Sequence, residues 1–447
     1  MSARRLASWV VALLVVQGLC LPALFAQSTT ATVKGRVVDT DGAGLPGVVV
    51  VIKSKNQGSG AQQTVTDIEG NYRIPLLPPS GDYYISVDYP GFAPIELGPL
   101  DLDPGKTTVA DLTLRSDAET TETIRVESRG NVVDTESTKT STSYNAEFIE
   151  GLPIIGHNYQ DILTLAPGVT DTDGDGNPNV HGARDTGLQY RLDGGNITDP
   201  VSGTFGQNLN ADIIEEVEII TSGASAEYGR ADGGFANIIT KSGGNDFEGK
   251  AFIYWQGKFL NSNGANNNDV NQFENSFPEY HDIRPGLSLG GAIVKDKVWY
   301  FGSVELLNTE IPVNQVGAQI LVTSRGNYSF GKLTWQVNSY NKLALQVTGD
   351  PRTFRGFGLQ LGVAPDSDFE FAQGSLTPQI KWTSTISPQL LLESTITHFD
   401  SNIAVHPVSK FFEPQTTKLI KVTNSGIDST QALYPCDVPN CDPEAGE

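Results

Sequence analysis

Residues able to do chemistry are present but scattered. Gly286-Leu287-Ser288-Leu289-Gly290 has the spacing of a nucleophile elbow, where a strand turns sharply into a helix and exposes the serine. Here the residues after Ser288 keep a strand pattern, so Ser288 reads as a sheet residue. The five histidines, His157, His181, His281, His398 and His406, lack metal-ligand spacing. No glycine-rich loop ends in the Lys-Ser/Thr pair that cradles phosphate. Asp171-Thr172-Asp173-Gly174-Asp175-Gly176-Asn177 fits an EF-hand loop at its first, third, fifth and sixth positions. The twelfth position is Gly182, where a bidentate glutamate belongs. A solvated acidic loop is the favoured reading of Asp171, Asp173 and Asp175, with weak calcium binding as the alternative. Cys436 and Cys441 flank Asp-Val-Pro-Asn. In an exported chain they read as a small loop disulfide; a metal would need two more ligands, and none lies nearby. No catalytic set and no cofactor are expected.

The elements that must position any site are mostly strands. The chain has 447 residues, so two to four units are expected. Its 47 glycines, 9% aromatic content and lack of long helical periodicity predict an all-β, turn-rich chain. The net charge of −22 argues against a nucleic-acid partner and fits acidic, solvated surface loops. Residues 1–26 read as a secretory leader: Arg4 and Arg5, an apolar run from Leu6 to Leu21, then Ala23-Leu24-Phe25-Ala26 at the cut. Leu24 is large for its place before the cut, which leaves the site open by several residues. Cys20 lacks the small residues of a lipoprotein box. No other apolar run reaches the length of a spanning helix. A membrane form must therefore be a closed barrel.

Residues 215–249 organise the chain. Val217 to Thr221 alternate as a half-buried strand, Arg230 to Gly234 form a glycine-rich corner, and Phe235 to Thr240 form a second strand. Ala226-Glu227-Tyr228-Gly229-Arg230, Gly233-Gly234, Asn237 and Thr240-Lys241-Ser242-Gly243 resemble the end of the plug domain in TonB-dependent outer-membrane receptors, especially the Oar-like branch. Gly151-Leu152-Pro153, Asn158 to Leu163, Leu165 to Val169, Tyr190 to Gly195 and Thr198-Asp199-Pro200 extend the likeness in order. Short helices are expected at Ala146 to Gly151 and Asn158 to Leu165, and Asp193-Gly194 is a strong turn signal.

Upstream, Val33 to Asp39, Leu45 to Val51, Gly70-Asn71-Tyr72, Gly81 to Tyr84 and Gly91-Phe92 suggest a small sandwich that resembles the carboxypeptidase regulatory-like domain. That segment has no histidine, so no zinc-peptidase activity is implied. Arg115 to Arg129 is a polar linker with a strand-forming island that could add to a partner's sheet edge. Thr123-Ile124-Arg125-Val126-Glu127 within it resembles a TonB box.

From Phe247 the sequence reads as strand pairs: 247–256, 284–293, 298–307, 328–337, 342–349, 376–385 and 390–398. Short links at 294–297, 338–341 and 386–389 alternate with long polar ones, as in an outer-membrane barrel. Phe252, Tyr254, Trp255, Trp299, Tyr300, Phe301, Trp335 and Trp382 fall where aromatic girdles would sit. Plug-filled barrels need about 22 strands, and about seven are legible here, so a fragment of a longer receptor, or a broken reading frame, is expected.

The fold expected is mainly β: an N-terminal β-sandwich at 27–115, a linker at 116–130, an α+β plug at 131–246, and an incomplete antiparallel outer-membrane β-barrel at 247–447. The resemblance implies a receptor that imports a scarce ligand (an iron chelate, glycan or peptide) with energy from the inner-membrane TonB complex. The N-terminal domain would then lie in the periplasm and the barrel in outer-membrane lipid. Glu227 and Arg230 would tie the plug to the barrel wall by charge-assisted bonds, or merely satisfy their own corner. The rival reading is an outer-membrane adhesion or scaffold protein without transport.

Overall fold

A computed structural model describes residues 30–54, 61–116, 124–126, 139–152, 158–172, 176–224, 229, 231–257, 280–315, 318–338, 340–356, 368–387, 390–400, 403–407, 419–422 and 432–435. The leader, Cys20, His157, Asp173, Asp175, Glu227, Arg230, Cys436 and Cys441 lie outside these residues.

The N-terminal strands are β1 (Ala31–Val38), β2 (Val49–Ser54), β3 (Gln62–Val65), β4 (Asn71–Leu77), β5 (Ser80–Val87), β6 (Ile95–Leu102), β7 (Thr107–Val109), β8 (Leu112–Thr113) and β9 (Ile124–Val126). They form two sheets. One has order β4-β1-β7, with β8 also on β1; the other has order β3-β2-β5-β6-β9. Alternation builds the core: Val50 and Ile52 of β2 point inward and meet Val33, Ile74, Tyr83 and Ile85. Each such buried side chain contributes about 1.5–3 kcal/mol. Gly35 is required for close approach, because a Cβ there would sit 1.9 Å from the Ala110 carbonyl oxygen. Tyr72 closes the same edge by donating to Ala110 O at 2.5 Å.

The middle unit contains β10 (Thr140–Asn145), α1 (Ala146–Gly151), α2 (Tyr159–Leu163), β11 (Val169–Thr170), β12 (Asn179–Val180), β13 (Leu188–Leu192), β14 (Gly195–Asn196), β15 (Ile214–Ser222) and β16 (Gly234–Thr240). Its sheet order is β10-β15-β16-β13-β14, with β13 parallel to β16. Asn145 caps α1 by accepting from Phe148 N at 2.9 Å. The reading of β15 as half-buried is corrected. Val217 and Ile219 enter the plug core, but Glu216, Glu218 and Ile220 on the other face are buried too. Lys139 covers that face, bonding Glu218 and the Pro104 carbonyl of the N-terminal unit.

The wall follows as β17 (Glu248–Gly257), β18 (His281–Val294), β19 (Val298–Gln315), β20 (Ala318–Asn338), β21 (Asn341–Gly349), β22 (Arg352–Arg355), β23 (Phe369–Gln373), β24 (Leu376–Ser387), β25 (Leu390–Thr397) and β26 (Ile403–Pro407). A separate pair, β27 (Leu419–Val422) and β28 (Ala432–Pro435), completes the described strands. The main path is β17-β18-β19-β20-β21-β24-β25, all antiparallel, so each of the seven expected strands is present. The sheet does not close on itself.

One expected long loop is instead strand. β19 and β20 stay paired up to Gln315↔Ala318. The 21 residues of β20 span about 70 Å, whereas a tilted strand crosses a bilayer with roughly 9–11 residues. The hairpin therefore projects far past the sheet's membrane-crossing part.

Period-two alternation gives the wall two unlike faces. Ile253, Trp255, Leu287, Leu289, Val304, Leu306, Trp335, Val337, Leu345, Val347, Ile380 and Trp382 are all exposed on the outer face. The inner face carries Ser288, Glu305, Gln346, Thr348 and Gln379, all buried. The aromatic-girdle expectation is corrected by the same alternation. Trp255, Trp335 and Trp382 face outward, but Tyr254, Trp299 and Phe301 turn inward to the plug. Ser288 lies mid-strand, paired with Lys250 and Ser303, so no elbow exists there. Among the described residues no helix is long and apolar enough to cross a membrane.

Candidate functional site

The chemistry of this molecule is concentrated where the plug meets the wall. The first contact is the β13–β14 turn. Asp193 (φ 48°) and Gly194 (φ 91°) both adopt left-handed conformations, the tight hairpin geometry that Asp-Gly favours. Register then places Gly195 against the wall, where a Cβ would lie 2.4 Å from Thr397 Oγ1 and 2.7 Å from Gln379 Oε1. The buried Asp193 carboxylate accepts from Thr240 Oγ1 at 2.5 Å and from Thr240 N at 3.2 Å. Lys332 of β20 reaches the same carboxylate at 3.4 Å and also donates to Thr240 O and Oγ1 at 3.2 and 2.9 Å. Gln379 of β24 donates to the Asp193 carbonyl at 3.2 Å.

A second contact centres on Asp212, in the 3-10 turn Ala211–Ile213 capped by Asn210. Lys250 bonds Asp212 Oδ1 at 2.6 Å, and the Tyr254 hydroxyl donates to Oδ2 at 2.8 Å. Lys250 also approaches Glu150 of α1 at 3.6 Å, and Lys241 bonds Glu150 at 2.7 Å. Burial pushes the Glu150 carboxyl up, but the two lysines outweigh it and hold it below its ordinary value. A third contact joins Asn208 to Asp350, through its backbone N at 2.8 Å and its side-chain amide at 3.2 Å. Asn245 makes the fourth, accepting from Asp296 N at 2.9 Å and Trp299 Nε1 at 2.8 Å. Beyond these, Gly243 passes so close to the wall that a Cβ would meet Tyr300 O at 2.0 Å.

Beside these hydrogen bonds and ion pairs, Phe330, Phe301 and Phe399 of the wall pack against the plug core. The polar ties exchange for water at modest net cost. Glu305 of β19 is buried, and neither oxygen has a hydrogen-bond partner among the described residues.

The plug's other face carries a buried acid. Glu216 is driven well above its ordinary value by burial first, then by Asp103, Glu218 and Asp101. Its Oε1 has no hydrogen-bond partner among the described residues. Next to it Glu218 is satisfied, by Lys139 at 2.5 Å and Asn237 at 3.1 Å.

The residues expected from sequence fare differently. Ile124-Arg125-Val126 forms β9, which adds in parallel to the edge of β6 with Ile95↔Ile124, Glu96↔Arg125 and Leu97↔Val126. Thr123 and Glu127 lie outside the described residues, as do Glu227 and Arg230. Asp171 accepts from Gly176 N at 3.0 Å, a bond that closes its own loop. Among the described residues no group of His, Cys, Asp and Glu could hold a metal ion. Asp193, Asp212, Lys250, Lys332 and Asp350 were not singled out from sequence. Only Asp193 carried a signal, the Asp-Gly turn.

Comparison with known proteins agrees with this architecture. The sequence matches the Carboxypeptidase regulatory-like domain over residues 32–115, the TonB-dependent Receptor Plug Domain over 134–235 and an Outer membrane beta barrel domain over 239–326. It is 28% identical to the TonB-dependent transporter Oar of Myxococcus xanthus, across 77% of this chain. The chain spans 35% of that relative's length. Among solved structures, the outer membrane transporter YddB from Escherichia coli is 18% identical with a TM-score of 0.48, covering 57% of this chain and 38% of that one. A ferric enterobactin receptor mutant from Pseudomonas aeruginosa is 16% identical with a TM-score of 0.37, covering 59% and 46%.

A plug held against a lipid-facing β-wall, behind a regulatory-like sandwich, defines a bacterial outer-membrane receptor. The three domain matches, in this order, together with the 28% likeness to Oar, support a TonB-dependent receptor of the Oar-like kind.

Proposed function

We propose that this chain is the plug-bearing part of a receptor that moves a scarce ligand across the outer membrane. The carrying observation is a plug fastened to its wall by separable polar bonds. A transporter needs a plug that holds and then yields; a pure adhesin gains nothing from one.

Energy enters at β9 in this proposal. The strand already sits on a sheet edge through main-chain bonds, in parallel register with β6. Such bonds are indifferent to side chains, so β9 can leave β6 for the sheet edge of another protein. That protein is the TonB complex of the inner membrane, with the N-terminal sandwich in the periplasm. Pulling on β9 loads the plug through residues 127–139. Glu227 and Arg230 act as further latch groups through charge-assisted bonds.

The test is deletion of Thr123 to Ser128 in the whole receptor. Cells expressing it are offered labelled ferric chelates, glycans and peptides. Surface binding should persist while accumulation falls to the level of uncoupler-treated cells. Accumulation equal to that of the parent would remove the role of β9. Binding without energy-dependent accumulation in the parent itself would favour an adhesin.

A further inference from the structure

A cavity of about 90 Å³ lies where the three units meet. The plug supplies Asp193, Thr240 and Ser242, the N-terminal sandwich covers it with Leu76, Pro78 and Pro79, and the wall supplies Lys332, Lys342 and Lys381. The wall register explains the lysine cluster. Lys332 pairs with Gln346, Ala344 pairs with both Thr334 and Lys381, and Lys342 pairs with Thr383. All three lysines therefore lie on the inner face of adjacent strands, with Lys381 two residues along the sheet from each of the other two.

Their charges are not all answered. Lys332 is held by Asp193 and Thr240, and Lys381 is ion-paired with Glu393. Lys342 has no acid and no hydrogen-bond partner among the described residues, while Lys332 and Lys381 both repel it. Lys342 is half-buried, and an ammonium group partly withdrawn from water without a counter-charge is costly. Among the described residues no acid acts on Lys342, and an anion from solution would supply the missing charge. The lining excludes the other classes. Lysines repel a metal ion, an apolar ligand would leave the Lys342 charge unanswered, and 90 Å³ leaves no room for a nucleotide.

We propose that this cavity binds one small oxyanion, a phosphate or a carboxylate group, with Lys342 as its principal partner. An ammonium group is a point charge with three donors, which suits a tetrahedral or planar oxyanion alike. The hydroxyls of Thr334, Thr383 and Ser242 line the same space as further donors. Because Pro78 and Pro79 close the cavity, the bound anion braces sandwich, plug and wall together. The proposal does not depend on transport.

The test uses the full chain purified in detergent. It is titrated calorimetrically with inorganic phosphate and, in a second arm, with acetate, against chloride at matched ionic strength. Saturable binding near one site per chain is expected for at least one of the two, and the arms separate phosphate from carboxylate chemistry. Lys342→Gln should weaken it by about tenfold or more, the effect of losing a charge-assisted bond. Lys342→Arg should retain it, and so should Lys297→Gln in the wall's short turn. Lys342→Gln should also melt at a higher temperature than the parent in chloride, which shows it is folded. No saturable binding of either anion, or equal binding by Lys342→Gln, overturns the proposal.

Discussion

Asp193→Asn isolates the charge that ties the plug to the wall. Asparagine is the other residue that tolerates the left-handed conformation at this position, so the turn itself is preserved. The side chain keeps its shape and can still accept from Thr240 N. What changes is Lys332, whose side chain is only 9% exposed and loses its ion-pair partner. Breaking a buried pair from one side costs about 3–5 kcal/mol. The ion pair here is long, at 3.4 Å, and Lys332 keeps two Thr240 acceptors. The lower end, about 3 kcal/mol, is therefore expected. Hydrogen exchange followed by mass spectrometry reads this directly in peptides covering β13 and β14. The substitution should speed exchange there by roughly 100-fold, since each 1.4 kcal/mol is tenfold. Adding Lys332→Met should restore most of the protection, because removing both partners leaves no charge stranded. Exchange within about threefold of the parent, or a double variant no slower than the single, would refute the assignment of this pair as a latch.

Three further outcomes follow from the same geometry. Glu216 favours its protonated form in the folded plug, so it stabilises at low pH and that stability is lost as the pH climbs from 4.5, its ordinary value, through the raised one. Melting temperatures across this range should fall for the parent and stay flatter for Glu216→Gln; parallel curves would show that Glu216 ionises freely. Paired cysteines at Glu96 and Arg125, which face each other across β6 and β9, should form a disulfide that blocks energy-dependent uptake until reductant is added; undiminished uptake by the oxidised receptor would show that β9 need not leave. Gly243→Ala forces a Cβ to within 2.0 Å of the Tyr300 carbonyl oxygen, a backbone atom that cannot step aside. It should destabilise the plug–wall junction by about 1–3 kcal/mol, seen as a lower melting temperature in detergent.

Much of the fold was legible because local patterns carry it. Period-two alternation located all seven main wall strands, and Asp193-Gly194 formed the expected tight turn. Short helices appeared at Ala146–Gly151 and Tyr159–Leu163, near the expected bounds. Alternation also misled where both faces of an element are covered. β15 looked half-buried because Glu216 and Glu218 are charged, yet Lys139 and the sandwich enclose them. Residues 308–327 read as a polar loop, although β19 and β20 keep pairing through them.

The latch itself was not legible. Asp193 and Lys332 are 139 positions apart, and Asn208 and Asp350 are 142 apart. Nothing local to either partner announces the other. By itself the sequence determined the main strands and the order of the three units, because hydrophobic period and turn chemistry act over a few residues. Tertiary structure alone decided which acid meets which lysine, which aromatics leave the lipid face for the plug, and where β9 rests. Those outcomes depend on the register between distant strands and on how deeply the plug is seated, and a shift of one residue would turn every pair to the opposite face.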